Sequence, residues 1–410
     1  MKNSTSGIER RRFLQMLAAG GMLPLLASAA SDASTLLSST TAPAGQGKVP
    51  RRILGKTGVS VPCLAVGCTA NRPAEMERAF HWGFNHFDTA ASYTGAEAGI
   101  GKFLKEKGIP RDQIFISTKP ADIHTPLPVI EDIEKSLDNS LTLLGTDYID
   151  LFCGVHACPG PDRLTDELGA FGDAMKKKGK IRFFGFSNHA GMVNNLTKAA
   201  TLPWVDALLV QYSYRLANNP KLSEAIDACV AAKIGLISIK TQGFGAKTLS
   251  EPEKAITDAF TSQGYDEAQA KIKFVLEDKR FTSASIGMKT VEIVDSCAAV
   301  AMNKAALTPD AKTALETHAR ETCSTYCAGC PNICGAALPA GLPMMSDVMR
   351  FLMYSHSNYG EHDRARELFH KLPQTAKEGM LAADYTHAES LCPQRIPIAG
   401  MVAEAFHRFA

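Results

Sequence analysis

The sequence predicts an α/β fold: a parallel (β/α)8 TIM barrel followed by a C-terminal, mainly helical, cysteine-containing domain. Three observations predict it. Short apolar runs of strand length recur at regular intervals from Arg51 onward, with helix-length amphipathic segments between them. Polar residues that can do chemistry fall at the carboxyl ends of those runs, the end at which such a barrel carries its site. After about Ala306 the alternation stops, and Cys323, Cys327, Cys330 and Cys334 crowd into one short stretch.

The chain opens MKNSTSGIERRRFLQMLAAGGMLPLLASAA: a basic segment, an apolar run from about Leu14 to Ala27, and the small-residue motif Ala27-Ser28-Ala29. Residues 1–29 therefore read as a signal peptide. Arg10 and Arg11, followed by Arg12-Phe13-Leu14, resemble the twin-arginine export signal of bacteria, which predicts an exported, periplasmic protein. That route carries proteins already folded and loaded with cofactor. A membrane span needs roughly 18 apolar residues. This run is shorter and is broken by Gly20, Gly21 and Pro24, so no span is expected in the mature chain. Residues 30–50, rich in Ser, Thr and Ala, read as a disordered spacer. Loss of residues 1–29 removes Lys2, three arginines and Glu9, taking the formal charge from +2 to −1. A chain so balanced has no electrostatic footprint for nucleic acid or anionic lipid.

The barrel is expected over residues 51–306. A hairpin around Thr57-Gly58 precedes eight runs. They are CLAVG (63–67), FNHFDTA (84–90), IFISTK (114–119), YIDLFCGV (148–155), IRFFGFSN (181–188), ALLVQYSY (207–214), GLISIKTQ (235–242) and SASIGM (283–288). An open doubly wound sheet would show a Gly-x-Gly-x-x-Gly turn after its first strand, and VGCTANRP is not one.

Asp88 closes the second run with Tyr93 in the loop beyond it, Lys119 ends the third, and His156 follows the fourth. A Tyr hydroxyl titrates near 10 and is a poor proton donor at neutral pH unless its anion is stabilised. A buried ammonium does that, and a carboxylate paired with the ammonium keeps it charged. The set suits protonation of an oxygen as hydride reaches its carbon: Tyr93 as general acid, Lys119 as the cation tuning it, Asp88 as partner of Lys119, and His156 as the hydrogen bond orienting a carbonyl.

These residues carry a resemblance to the aldo/keto reductases, running from Arg52 to about Ala306. It rests on RILGKTGVSVPCLAVG, on FDTAASYTGAE around Asp88 and Tyr93, on STK at Lys119, and on GFSN at Ser187-Asn188. The resemblance implies reduction of an aldehyde, ketone or sugar carbonyl with NADP or NAD as cofactor. It implies that Ser187, Asn188 and Gln211 hold the nicotinamide carboxamide, with Tyr214 stacked on its ring. Lys240 to Gly243 and Gly287 to Thr290 would line the pyrophosphate and adenosine, and Lys289 would face a 2'-phosphate, which favours NADPH. Two departures stand out. The family's His comes five residues after the Asp of the IDL stretch, whereas His156 comes six after Asp150, which reverses strand parity. A bulge must restore it, and Gly154 is the residue to host one. Cys297 stands where the family often places an Asn near the adenine.

Beyond the barrel, LTPDAKTALETHARE predicts a helix with Thr308 as N-cap, and SDVMRFLMYSHSNYGEHDRARELFHKL predicts another, leading to an isolated Cys392. Cys327-x2-Cys330-x3-Cys334 with the remote Cys392-Pro393 resembles a reduced bacterial ferredoxin motif. Aldo/keto reductases with ferredoxin-like tails form one branch of the family. The resemblance implies one 4Fe-4S cluster on Cys327, Cys330, Cys334 and Cys392, with Cys323 as alternative ligand, in a domain spanning 307–410. Structural zinc fits the same ligand type. Disulfides fit an exported compartment, and Cys323-x3-Cys327-x2-Cys330 also spells the radical-SAM signature. Cys63, Cys68, Cys153, Cys158, Cys229 and Cys297 read as small core residues. No flavin signature links two-electron hydride chemistry to a one-electron cluster, so a redox partner protein is one expectation. A redox-sensing or accessory protein that binds nucleotide without turnover is the opposing reading.

Overall fold

The computed structural model describes residues 48–409, apart from 69, 121–128, 244–259, 261–262, 340–341, 343–344 and 357–361. The export signal and nearly all of the expected spacer lie outside the described residues. The spacer's last residues do not behave as one: Val49 is 2% exposed and its N–H bonds the Trp82 carbonyl at 3.0 Å. Burial of an apolar side chain beside a paired amide ties that segment to the barrel.

Strands β1 (Arg51–Ile53) and β2 (Ser60–Pro62) form the expected antiparallel hairpin. Eight further strands follow: β3 (Leu64–Gly67), β4 (His86–Asp88), β5 (Phe115–Thr118), β6 (Ile149–Val155), β7 (Ile181–Asn188), β8 (Ala207–Gln211), β9 (Gly235–Ile239) and β10 (Ser283–Ile286). All pair in parallel and in sequence order, and β10 returns to β3, closing the barrel. All eight apolar runs are thus strands.

Helices α1 (Pro73–Trp82), α2 (Ala96–Lys107), α3 (Ile130–Leu144), α4 (Asp166–Lys177), α5 (Met192–Ala199), α6 (Pro220–Ala231), α7 (Glu267–Glu277) and α8 (Val291–Met302) follow β3 to β10 in turn. Side-chain caps fix several starts: Thr165 accepts from the Leu168 N–H, Asn219 from that of Leu222, and Asp266 with Gln269 forms a capping box. Inward-facing Leu151, Cys153, Ala207, Leu209 and Ile237 meet Leu54 and Val61 of the hairpin in one cluster, so the hairpin floors the barrel. Phe152, between two inward residues, packs outward against the helix layer, as strand alternation requires.

After α8 comes α9 (Pro309–Glu321), capped by Thr308, which accepts from the Ala311 N–H at 3.3 Å. Leu307, Ala311, Leu315 and Tyr326 all belong to the barrel's hydrophobic cluster. Then follow α10 (Pro331–Cys334), α11 (Met345–His356), α12 (His362–His370), α13 (Gln374–Ala382), α14 (Thr386–Leu391) and α15 (Ile398–Phe409). Val348, Phe351, Leu352, Phe369, Val402 and Phe409 form their second core. The run read as one helix from Ser346 to Leu372 is two, α11 and α12; Asn358 and Gly360, poor helix formers, stand between them in sequence. Among the described residues no helix is long and apolar enough to cross a membrane.

Candidate active site and cysteine cavity

Asp88, Tyr93, Lys119 and His156 come from β4, the loop after it, the end of β5 and the end of β6, all on the carboxyl rim. Lys119 is 2% exposed and Asp88 6%. The Lys119 Nζ donates to Asp88 Oδ1 at 2.7 Å and to the Thr89 carbonyl at 2.6 Å. Asp88 also accepts from Ser117 Oγ at 2.8 Å and, on its other oxygen, from Ser285 Oγ at 3.0 Å. Burial alone would push Lys119 down, but Asp88 and then Tyr93 outweigh it, and its pKa is raised. The result is a buried ammonium, held charged by Asp88 and within electrostatic reach of the Tyr93 phenol.

Ser117 spends its proton on Asp88, so His86, 3.0 Å away, must donate to it through Nε2. Burial holds His86 neutral, with a pKa lowered to about 4.

The six-residue spacing to His156 is absorbed where parity required. The β6–β7 register shifts between Cys153 and Val155, which makes Gly154 the extra residue. A Cβ on Gly154 would stand 2.5 Å from the Phe184 ring. Beyond the bulge His156 is buried, its ring edge-on to Tyr93 with centroids 6.2 Å apart. Ala157, at φ 53°, then turns its N–H onto Ser187 Oγ at 2.8 Å.

Ser187 and Asn188 end β7, and Gln211 ends β8. All three are buried, and Asn188 Nδ2 has no partner among the described residues, an orphaned donor that suits a carboxamide oxygen. Gln211 is engaged. Its Nε2 donates to the hydroxyl of Tyr326 at 2.8 Å, and Tyr326 is fully buried. The ring of His318, on α9, lies 6.2 Å from that of Tyr214 at 22°, and Arg215 stands 5.3 Å from both the Tyr214 and Tyr326 rings. Gly329 clamps the segment down. Its carbonyl accepts from the Gly191 N–H at 2.7 Å, its φ is 68°, and a Cβ there would meet the His189 carbonyl at 2.6 Å. The stretch from His318 to Gly329 thus lies over the strand ends that carry Gln211 and Tyr214.

The adenosine side is more open. Lys240 has φ 57° and Gly243 φ 53°; Gly287 and Thr290 are exposed, and Thr290 caps α8. The Lys289 carbonyl accepts from Arg72 Nη1 at 2.8 Å. Cys297 is 1% exposed and pushed up to about 12 by burial, so it is a core thiol.

In the tail, Cys327, Cys330, Cys334 and Cys392 line one small cavity with Met345, Met349 and Ile396. Burial, then the neighbouring thiols, raises Cys327 to about 12 and Cys330 to about 11. Cys323 stands outside, accepting a hydrogen bond from Arg395 at 3.4 Å. All eleven cysteines are free thiols, which removes the disulfide reading for this state. Among the described residues no three His, Cys, Asp or Glu side chains converge as they would on a single metal ion. The six barrel cysteines are buried, as small core residues should be.

Sequence reasoning passed over four rim residues. His189 follows Asn188 directly, with its ring 6.3 Å from that of His156. Burial first, then Arg350, Lys240, His156 and Lys119, holds it neutral, well below the usual His value. Its adjacency to GFSN was a usable signal; Arg215, His318 and Tyr326 gave none.

A closed parallel barrel carrying a buried Lys–Asp pair, a Tyr and a His together on its carboxyl rim has the architecture of the (β/α)8 barrels. The sequence model of the aldo/keto reductase family matches residues 70–310, and the chain belongs to that family as an oxidoreductase. It is 25% identical over 300 residues to the L-galactose dehydrogenase of Arabidopsis thaliana, covering 66% of this chain and 94% of that one. It is 25% identical over 302 residues to the L-glyceraldehyde 3-phosphate reductase of Escherichia coli, covering 61% and 87%. Among solved structures, an aldo-keto reductase of Bacillus halodurans superposes with a TM-score of 0.55 at 19% identity, over 66% of this chain and 96% of that one. One from Brucella melitensis does so with 0.51 at 22%, over 66% and 99%. Those two likenesses speak for the barrel alone, and both leave about a third of this chain uncovered.

Proposed function

We propose that the chain is an exported, NAD(P)H-dependent reductase of aldehydes, ketones or sugar-type carbonyls, with one 4Fe-4S cluster in its tail. The observation that carries the catalytic reading is the buried Asp88–Lys119 pair at 2.7 Å with Tyr93 beside it and His156 edge-on to the phenol. The substrate oxygen sits between the Tyr93 hydroxyl and the His156 ring. The nicotinamide, when bound, supplies the hydride to the carbonyl carbon. Tyr93 gives its proton to the oxygen, the Lys119 ammonium stabilises the phenolate left behind, and Asp88 keeps Lys119 charged. Ser187 and Asn188 offer donors and acceptors for a carboxamide, and the half-buried Lys289 supports NADPH over NADH. The sugar-related names of the relatives support a hydroxylated carbonyl substrate.

Tyr326 takes one N–H of the Gln211 amide and stands over that strand end, so a carboxamide binding at Gln211 competes with Tyr326 for space. That contact favours a second reading, an accessory or redox-sensing protein whose nucleotide pocket stays closed. Four thiols around one cavity, with Cys323 apart, support Cys327, Cys330, Cys334 and Cys392 as cluster ligands; when bound, a cluster moves single electrons. The twin-arginine motif supports loading before export.

Tyr93→Phe tests the catalytic reading. Carbonyl-dependent NADPH oxidation, followed at 340 nm, should fall about 10²- to 10⁴-fold with the substrate KM little changed. Turnover equal to wild type would remove Tyr93 as the acid, and no turnover by either protein on a panel of aldoses and simple aldehydes would favour the accessory role.

A further inference from the structure

On the rim, away from both Tyr93 and the adenosine side, a groove of ≈ 2020 Å³ including its open mouth runs between the loops after β7 and β8 and the tail. Its charges are one-sided: Arg215, Lys221, Arg320 and Arg395 line it against the single acid Glu316. Arg215 is 8% exposed, yet among the described residues its Nε has no partner. Its terminal nitrogens reach only the Thr322 carbonyl at 3.5 Å and His318 Nε2 at 3.4 Å. Among the described residues no carboxylate pairs with it, although a guanidinium removed from water ordinarily finds a counter-charge.

Backbone dipoles add to the same field. The first turns of α5 and α6 both line the groove, and neither contains an acidic residue that would offset the positive end of its helix. No side chain caps α5 at all. An uncapped helix start and an unpaired buried arginine facing one concavity describe a receptor for a compact oxyanion.

We propose that this groove binds the phosphate or pyrophosphate group of a small molecule, at a site that borders Tyr214 but is separate from the residues implied for the dinucleotide's own pyrophosphate and adenosine. The residues implied for pyrophosphate and adenosine follow β9 and β10, whereas the groove follows β7 and β8, so the two occupy different arcs of the rim. The site does not depend on the reductase reading.

Calorimetric titration of the full-length protein with inorganic pyrophosphate tests it, with inorganic phosphate and ADP as comparison arms. Wild type should bind pyrophosphate at micromolar to low-millimolar levels, more weakly as salt rises. Arg215→Gln should weaken binding at least about tenfold, and Arg320→Gln about threefold. Preference for ADP would identify a nucleotide as the source; equal binding of phosphate, a simple ester. No heat with any anion, unchanged affinity in Arg215→Gln, or competitive displacement by NADPH would overturn the assignment. If Arg215→Gln does not fold, Arg320→Gln and Arg395→Gln decide, and unchanged affinity in both overturns it.

Discussion

The barrel rim and the tail cavity solve opposite problems with polar groups. Around Asp88 each charge is answered from within: Asp88 accepts from Lys119, Ser117 and Ser285, and Lys119 reaches Asp88 and the Thr89 carbonyl. In the tail four cysteines line one small cavity together with Ile333, Met345, Met349, Ile396 and Ile398. Interlocked ions fix a geometry and resist change. Buried thiols, held neutral, carry no charge to be answered. The Asp88–Lys119 site is built on paired charges, and the tail cavity on neutral groups.

The sharpest break in that comparison comes from the tail. Cys392→Ala should abolish most of the iron content and the broad absorption near 400 nm of anaerobically purified protein, whereas Cys323→Ala should retain both. Equal loss in the two variants would erase the distinction between the residue inside the cavity and the one outside it. Colourless wild-type protein carrying zinc would redirect the tail to a structural metal.

On the rim, Lys119→Met leaves the buried Asp88 carboxylate without its cation and should lower stability by about 3–5 kcal/mol in urea unfolding. Adding Asp88→Asn should recover part of that loss. A single-variant effect under about 1 kcal/mol would mean the pair is not interlocked as the distances imply.

A smaller effect follows from His86. Its folded pKa, about 4, lies below the unfolded value near 6.5, so the unfolded state takes up the proton first. The stability is intact above roughly pH 6.5 and is lost as the pH falls towards 4, by roughly 3 kcal/mol in all. Melting curves from pH 7 to 4.5 should show this decline, shallower in His86→Gln. Identical slopes would place the acid sensitivity elsewhere.

The eight strands were legible because each apolar run is short, bounded and followed by a helical period. The rim chemistry was legible because Asp88, Lys119 and His156 each end a run. Even the bulge could be read, since six residues between Asp150 and His156 violate strand parity and Gly154 is the one glycine available. What covers the rim could not be read. The pattern of α9 shows that it has an apolar face but not that His318 will meet Tyr214, and Tyr326 looks like any aromatic residue between two cysteines. Arg215 reads as a loop arginine until the tail buries it. The ferredoxin-like spacing put Cys392 in the ligand set with Cys323 as alternative; that Cys392, 58 residues beyond Cys334, lines the cavity while Cys323 stands outside it is a tertiary fact spacing does not contain.

The account turns on one hydrogen bond, from Gln211 to Tyr326, lying between a reductase site and its cofactor. Fluorescence titration with NADPH, on wild type and Tyr326→Ala side by side, tests it most directly. The account predicts binding in both and an affinity about tenfold tighter in the variant, the equivalent of roughly 1.4 kcal/mol for a competitor removed. Absence of binding in both proteins, or weaker binding in Tyr326→Ala, would contradict it.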